Sequence, residues 1–302
     1  MGDNCFVLVY VDDCLVFSRD QQVIDEFFSN LGTKYTITDE GEVAKYLGVD
    51  VRRPNDHIYE LRQPYLIQRI IETLGLNDSN EHLVPAVKPL LSKDVTGKRK
   101  IETWNYRSVQ GMLNYLAGST RPDIAFSVHQ TARFANDPKI SHERAIKRIG
   151  RYLKGTKNKG IILRPDRKKG LECYVDADFA GGWDKNNSED IASVFSRTGF
   201  IIKYMDCPIY WVSRLQTEIC LSTTEAEYVA LSQAMREVLP MISMLKELNL
   251  ALNIEAQKPI IRCTVFEDNN GAIELASAPR MRPRTKHIAL KYHFLGDLLE
   301  KQ

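Results

Sequence analysis

The sequence predicts a mixed α/β (α+β) fold, and three observations predict it. The stretch "CFVLVYVDDCLVFS", residues 5–18, sets β-branched and aromatic residues on both sides of an Asp-Asp pair, the pattern of strand, tight turn and strand. Residues 103–155 space their apolar side chains at three and four, as amphipathic helices do. Beyond the Lys- and Gly-rich "KGTKNKG" the pattern changes to strand-like alternation, then to alternating helices and strands. That order predicts a compact α/β domain of about 140 residues.

Each element follows in turn. "QQVIDEFFSNLG" predicts a helix, with Val23, Phe27 and Leu31 at spacing four and Gly32 as its stop. "KYTITDEG" and "AKYLGVDVRR" predict short strands around a turn at Asp39–Gly41. "QPYLIQRIIETLGL" predicts a second helix, with Leu66, Ile70 and Leu74 on one face. Residues 77–102 are polar, contain two prolines and end in the basic "KDVTGKRK", which reads as a linker. "RSVQGMLNYLAG", "RPDIAFSVHQTARFAN" and "SHERAIKRIGRYLKG" predict three helices. Pro122 suits a first helical position, Ser141 an N-cap and Gly155 a stop. "LECYVDADFAGG", "TGFIIKYM" and "CPIYWVS" predict three strands. A long helix starts near Thr224, "IIRCTVFED" predicts a strand, "NGAIELAS" a helix, and the tail "KYHFLGDLLEKQ" a last one. Domains are expected at 1–76, 77–158 and 159–302.

Composition bounds the function. The 302 residues are 43% hydrophobic and 26% charged, ordinary for a globular protein, and no apolar run approaches the roughly 20 residues that span a bilayer. Asp3 and Asn4 stand where a signal peptide carries basic residues, and the six scattered cysteines form no CxxC pair. An intracellular, reducing location and no membrane partner are therefore expected. The net charge of +2 conceals an asymmetry, since residues 86–170 hold 20 Lys/Arg against 6 Asp/Glu. Such a block fits a polyanion, most simply nucleic acid, or else a solvated basic face. Arg144, Lys147, Arg148 and Arg151 recur on one helical face and are the candidate nucleic-acid contacts. Tyr174, Trp183 and Trp211 read as core residues.

The chemistry-bearing residues are carboxylates at the ends of core elements. Asp176 sits late in an apolar strand, with Asp178 on the same side two residues on. Asp268 ends "CTVFED", and Glu227 shares a helical face with Ala230, Leu231 and Ala234. Structural readings exist: Thr224-x-x-Glu227 is a capping box, though Ser222-x-x-Glu225 is another, and Asp268 could cap the following helix. If these acids converge, they form the oxygen-rich cluster that holds two divalent cations for phosphodiester hydrolysis. Asp12 and Asp13 pose the same question, since ionised carboxylates among apolar residues need solvent or a cation.

The motifs together resemble the C-terminal part of a Ty1/copia-type retrotransposon Pol polyprotein. "YVDD" is similar to the reverse-transcriptase palm motif, "KYLGVDV" to the segment after it and "QPYLIQRII" to the thumb. "YRSVQGMLNYLAGSTRPDIAFSV" and "HERAIKRIGRYLKGT" resemble the connecting region, while "DADFAGGW", "STTEAEYVAL", "EDNNGAIELA" and "RTKHIALKYHF" follow the order of the RNase H segment. The resemblance implies a truncated reverse-transcriptase palm and thumb, a helical connection and an RNase H-like mixed-sheet domain. It implies Asp12, with Asp13 beside it, as a palm metal ligand. It also implies Asp176, Glu227 and Asp268 as catalytic metal ligands, and His287 in proton transfer or product release.

Two departures matter. Only nine residues precede Tyr10, so the other palm aspartate and the fingers fall outside the chain, and no DNA synthesis is expected from it alone. Ala289 stands where the family carries a fourth acid, and Asp297 is the candidate substitute. The resulting expectation is a ribonuclease H using two Mg²⁺ ions, with Mn²⁺ as an alternative. Its partners would be RNA–DNA hybrid or other nucleic acid and other Pol fragments. The alternative is a non-catalytic nucleic-acid-binding relic.

Overall fold

The computed structural model describes residues 4–185, 190–252 and 261–277. It is mixed helix and sheet, with three separate sheets among the described residues. The chain opens with strands β1 (Phe6–Tyr10) and β2 (Asp13–Phe17), an antiparallel hairpin that forms a two-stranded sheet of its own. Tyr10 pairs with Asp13, so the turn holds Val11, at φ 54°, and Asp12, while Asp13 already begins β2. Helix α1 (Gln21–Gly32) follows, its first turn capped by Asp20 Oδ1, which accepts from Gln22 N at 2.9 Å.

The strand expected over "KYTITDEG" does not form. Asp39 Oδ1 instead accepts from Gly41 N at 2.8 Å and Gly41 takes φ +73°, a local side-chain-to-backbone bond that competes with a ladder. The second sheet contains β3 (Lys45–Tyr46), β4 (Val49–Asn55) and β5 (Ile58–Arg62), all antiparallel. Strand β6 (Ile161–Leu163) completes it by pairing Ile161 with Leu61. The expected break near residue 158 thus lies just before a strand that returns to the N-terminal sheet.

Four helices form the first core. α2 (Pro64–Thr73) begins on proline and ends before Gly75, at φ +64°. It packs with α3 (Tyr106–Ser119), α4 (Ala125–Ala132, preceded by a 3₁₀ turn at Pro122–Ile124) and α5 (Ile140–Gly155). Ile67, Ile70, Leu113, Leu116, Ile146, Ile149 and Leu153 are completely buried between them. Gly150 permits close approach of α5, because a Cβ there would meet Leu76 Cδ1 at 2.6 Å. Arg121 is buried as well and clamps the corner. It donates to Asp123 at 2.9 and 2.7 Å and to Thr156 O at 3.0 Å, while Tyr152 OH donates to Asp123 at 2.7 Å. The cap of α5 is Lys139, not Ser141: His142 Nδ1 accepts from Lys139 N at 3.0 Å, and the Ser141 hydroxyl turns to Asp94.

Residues 77–102 lack regular structure yet do not hang free as a linker. They run along α5 as a strap. Lys154 Nζ donates to Asn77 O and Ser79 O, both at 2.6 Å, His82 N to Arg151 O at 3.3 Å, and Ile101 N to Glu143 Oε2 at 3.0 Å.

The third sheet has the order β10-β7-β8-β9. β7 (Leu171–Asp178), β8 (Arg197–Tyr204) and β9 (Cys207–Leu215) form an antiparallel meander, and β10 (Cys263–Phe266) lies parallel to β7. Helix α6 (Thr223–Ala251) covers one face and α7 (Asn270–Ser277) packs beside it. The core comprises Cys173, Val175, Phe200 and Ile202 from the sheet, against Ala226, Ala230, Ala234 and Val238 of α6. Trp211 is half-buried at the seam with the helices, donating to Ala117 O at 2.7 Å, whereas Tyr174 and Trp183 are exposed and are not core. Every cysteine is free, and no helix is long and apolar enough to cross a membrane among the described residues.

Candidate metal centre

Parallel pairing of β7 and β10 brings the C-terminal ends of both strands to one edge of the sheet. Asp176 lies near the end of β7, and Asp268 lies two residues past the end of β10. The N-terminal end of α6, which carries Glu227, meets the same edge, and its capping is decisive. Ser222 Oγ accepts from Glu225 N at 3.1 Å, and Glu225 Oε2 reaches back one residue beyond the cap to accept from Leu221 N at 2.8 Å, so Ser222 and Glu225 together satisfy the start of α6. Glu227 is therefore not needed as a cap. Asp268 is not the cap of α7 either, because Asn269 Oδ1 accepts from Ala272 N at 3.0 Å. Both acids are released from the structural roles the sequence allowed them.

Asp176, Glu227 and Asp268 each offer a carboxylate oxygen within 4.8 Å of the others, the one such group of three potential ligands among the described residues. Glu227 is only 7% exposed, and its Oε2 is buried with no hydrogen-bond partner. Burial, then repulsion from Glu267, Asp176 and Asp268, pushes its carboxyl up to about 8, against a hydrogen bond from the Ala177 backbone. Without a compensating charge the site thus keeps a proton at neutral pH. An oxygen-only donor set with one buried, unpartnered carboxylate oxygen fits a hard divalent cation.

Glu267 escaped the sequence reading. Exposure along β10 alternates, with Cys263 and Val265 turned inward and Thr264 and Phe266 outward, and Glu267 continues the inward set. That parity was the available signal. Burial, and the charges of Asp268 and Asp176, raise its carboxyl above the usual range.

The remaining candidates fall elsewhere. Asp12 and Asp13 are exposed on the hairpin and join no group of three ligands among the described residues. Asp178 lies exposed at the end of β7, opposite Arg197 of β8. His287, Ala289 and Asp297 lie outside the described residues. Of the four basic residues of α5, Arg144 is exposed. Lys147 is paired with Glu102 of the strap, Arg148 Nε donates to Val84 O at 3.0 Å, and Arg151 Nε is buried. The strap covers most of that face.

Comparison with known proteins places these observations. The family model described as reverse transcriptase (RNA-dependent DNA polymerase) matches residues 1–88. The chain is 33% identical over 295 residues to the retrovirus-related Pol polyprotein from transposon RE1 of Arabidopsis thaliana, covering 98% of this chain and 19% of that one. It is 31% identical over 310 residues to the corresponding polyprotein from transposon TNT 1-94 of Nicotiana tabacum, covering all of this chain and 22% of that one. A shorter match, 38% over 132 residues, is to secreted RxLR effector protein 161 of Plasmopara viticola, 44% of this chain and 87% of that one. The chain spans about a fifth of the length of the Pol polyproteins it matches.

Proposed function

Because this chain belongs to the copia-type retrotransposon Pol family, we propose that its C-terminal part is a metal-dependent ribonuclease acting on RNA in RNA–DNA hybrids. The observation that carries this reading is the convergence of Asp176, Glu227 and Asp268 within 4.8 Å at one sheet edge. These three would hold Mg²⁺, with Mn²⁺ as the alternative. The bound ions would supply Lewis-acid activation of water and charge stabilisation at the leaving oxygen. The carboxylates do the rest of the work at this edge. Asp176 and Asp268, at exposed positions, face the side from which a phosphodiester approaches. Glu227, held at the capped N-terminal end of α6, closes the buried side and excludes water from it. Selection of RNA would rest on 2′-hydroxyl contacts across the wide minor groove of the hybrid.

The test is cleavage of a labelled RNA–DNA hybrid in Mg²⁺ and then Mn²⁺, beside Asp176→Asn and Ala289→Asp. Cleavage that Asp176→Asn abolishes supports the enzyme. Ala289 favours the second reading, a non-catalytic nucleic-acid binder, because a methyl group ligates no metal. Hybrid binding without cleavage by any variant would establish that reading instead.

A further inference from the structure

A groove of about 700 Å³ lies between the strap and the turn that follows β7. The strap contributes Lys88, Leu90 and Leu91 to its lining, the turn contributes Trp183 and Lys185, and Arg133 comes from the end of α4. That volume falls among clefts of roughly 300–1,000 Å³ that enclose a single small ligand. It admits one strand of a nucleic acid and not a duplex.

Trp183 is presented on a fixed backbone. Ala180 takes φ 47°, its carbonyl accepts from Trp183 N at 2.9 Å, and its N–H donates to Ser196 Oγ at 3.3 Å. Gly181 completes the turn, because a Cβ there would collide with the Asp178 carboxylate. Yet the Trp183 side chain, the largest apolar group of the lining, is 57% exposed. A tightly held turn that leaves an indole in water gains nothing for the core from it. Lys88 and Lys185 are likewise exposed and enter no ion pair among the described residues. Of the two acids in the lining, Asp184 and Asp190, the second is engaged by Arg133 at 3.6 Å. An aromatic platform beside free cations in a one-strand groove is the combination that holds single-stranded nucleic acid without regard to sequence.

We propose that this groove binds a single-stranded stretch of nucleic acid, with a base stacked on Trp183 and phosphates at Lys88 and Lys185. The turn continues directly from β7, the strand that carries Asp176, so groove and metal centre share one element. The inference rests on the reading of the chain as a protein that handles nucleic acid, and it adds a single strand to the hybrid as ligand. It does not require that the metal centre cut.

The experiment is fluorescence anisotropy of labelled oligo(dT) and oligo(U) titrated with the full chain in EDTA. The proteins are wild type, Trp183→Ala, Trp183→Phe and the double variant Lys88→Ala/Lys185→Ala, each verified as folded by its melting temperature. Trp183→Ala is expected to weaken binding by about 5- to 100-fold, the effect of losing one stacked base, and Trp183→Phe to retain most of the affinity. The double lysine variant should flatten the logarithmic salt slope by about 1.4. Wild-type affinity in Trp183→Ala, or no oligonucleotide binding by the wild type, would overturn the inference. Hybrid cleavage persisting in that case would leave the proposed ribonuclease standing. Binding lost in Trp183→Ala, with no hybrid cleavage by the wild type, would uphold the groove and overturn the ribonuclease.

Discussion

Arg197 Nη1 donates to His129 Nδ1 at 3.1 Å, joining β8 of the third sheet to α4 of the helical core. Arg197 is 6% exposed and also lies over the Phe126 ring, 4.9 Å from its centroid. Only neutral histidine can accept this bond. Burial, then the charges of Arg197, Arg133 and Arg214, lower the His129 pKa to about 4.

The sign of the resulting pH dependence is definite. A histidine held below its ordinary 6.5 contributes stability that is complete above about 6.5 and is lost as pH falls through about 4. Acidification from pH 7 to 4.5 is expected to lower the melting temperature of wild type more than that of His129→Gln. Calorimetry at both pH values checks this, and parallel slopes would remove His129 as the cause.

Glu227 works in the opposite direction. Its carboxyl, raised to about 8, favours the folded metal-free protein at low pH, and that advantage is lost as pH rises from about 4.5 through 8. Glu227→Gln is expected to flatten the loss in EDTA and to abolish stabilisation by Mg²⁺. Thermal melts with and without Mg²⁺ at pH 5 and pH 8.5 read both effects.

Arg121→Ala should destabilise the helical core severely. It removes a fully buried side chain together with its bonds to Asp123 and to Thr156 O, and losing hydrogen bonds to a charged group costs about 1.5–3 kcal/mol each. Arg121→Lys is expected to recover little, because the two parallel bonds to Asp123 need the guanidinium fork. Urea denaturation curves measure the difference.

Ser222→Ala removes the cap of α6 and is expected to cost about 1 kcal/mol. The loss should fall on the N-terminal end of α6, just before Glu227. Mg²⁺ affinity should therefore weaken in this variant although no ligand has changed, which titration calorimetry can read.

On α5 the strap separates two kinds of basic residue. Arg144 is exposed, whereas Lys147 is paired with Glu102. If the chain grips a hybrid here, Arg144→Ala should reduce the logarithmic salt slope of binding by about 1. Lys147→Ala should leave it nearly unchanged. Equal effects would mean that the strap moves away on binding.

Much of the local structure was legible in the sequence because its causes are local. The four-residue apolar spacing of α1, the opening proline of α2 and the alternation of β7 each state their own geometry. So did Ser222-x-x-Glu225, which left Glu227 available before any contact was known. "KYTITDEG" was misread because its Thr and Asp residues favour local bonds as readily as a ladder. β5 was overlooked, and it takes its partner β6 from about a hundred residues further along the chain.

By itself, then, the sequence determined most of the helices and the strands of the third sheet, the mixed α/β class, the family and three acids worth testing. Tertiary structure alone decided that Asp176, Glu227 and Asp268 meet, because only the parallel pairing of β10 with β7 puts those strand ends on one edge. It also decided that Glu267 turns inward and that most of the basic face of α5 lies against residues 77–102. These are contacts between segments far apart in the chain. Their energies come from burial and pairing across the fold, which no periodicity within one segment encodes.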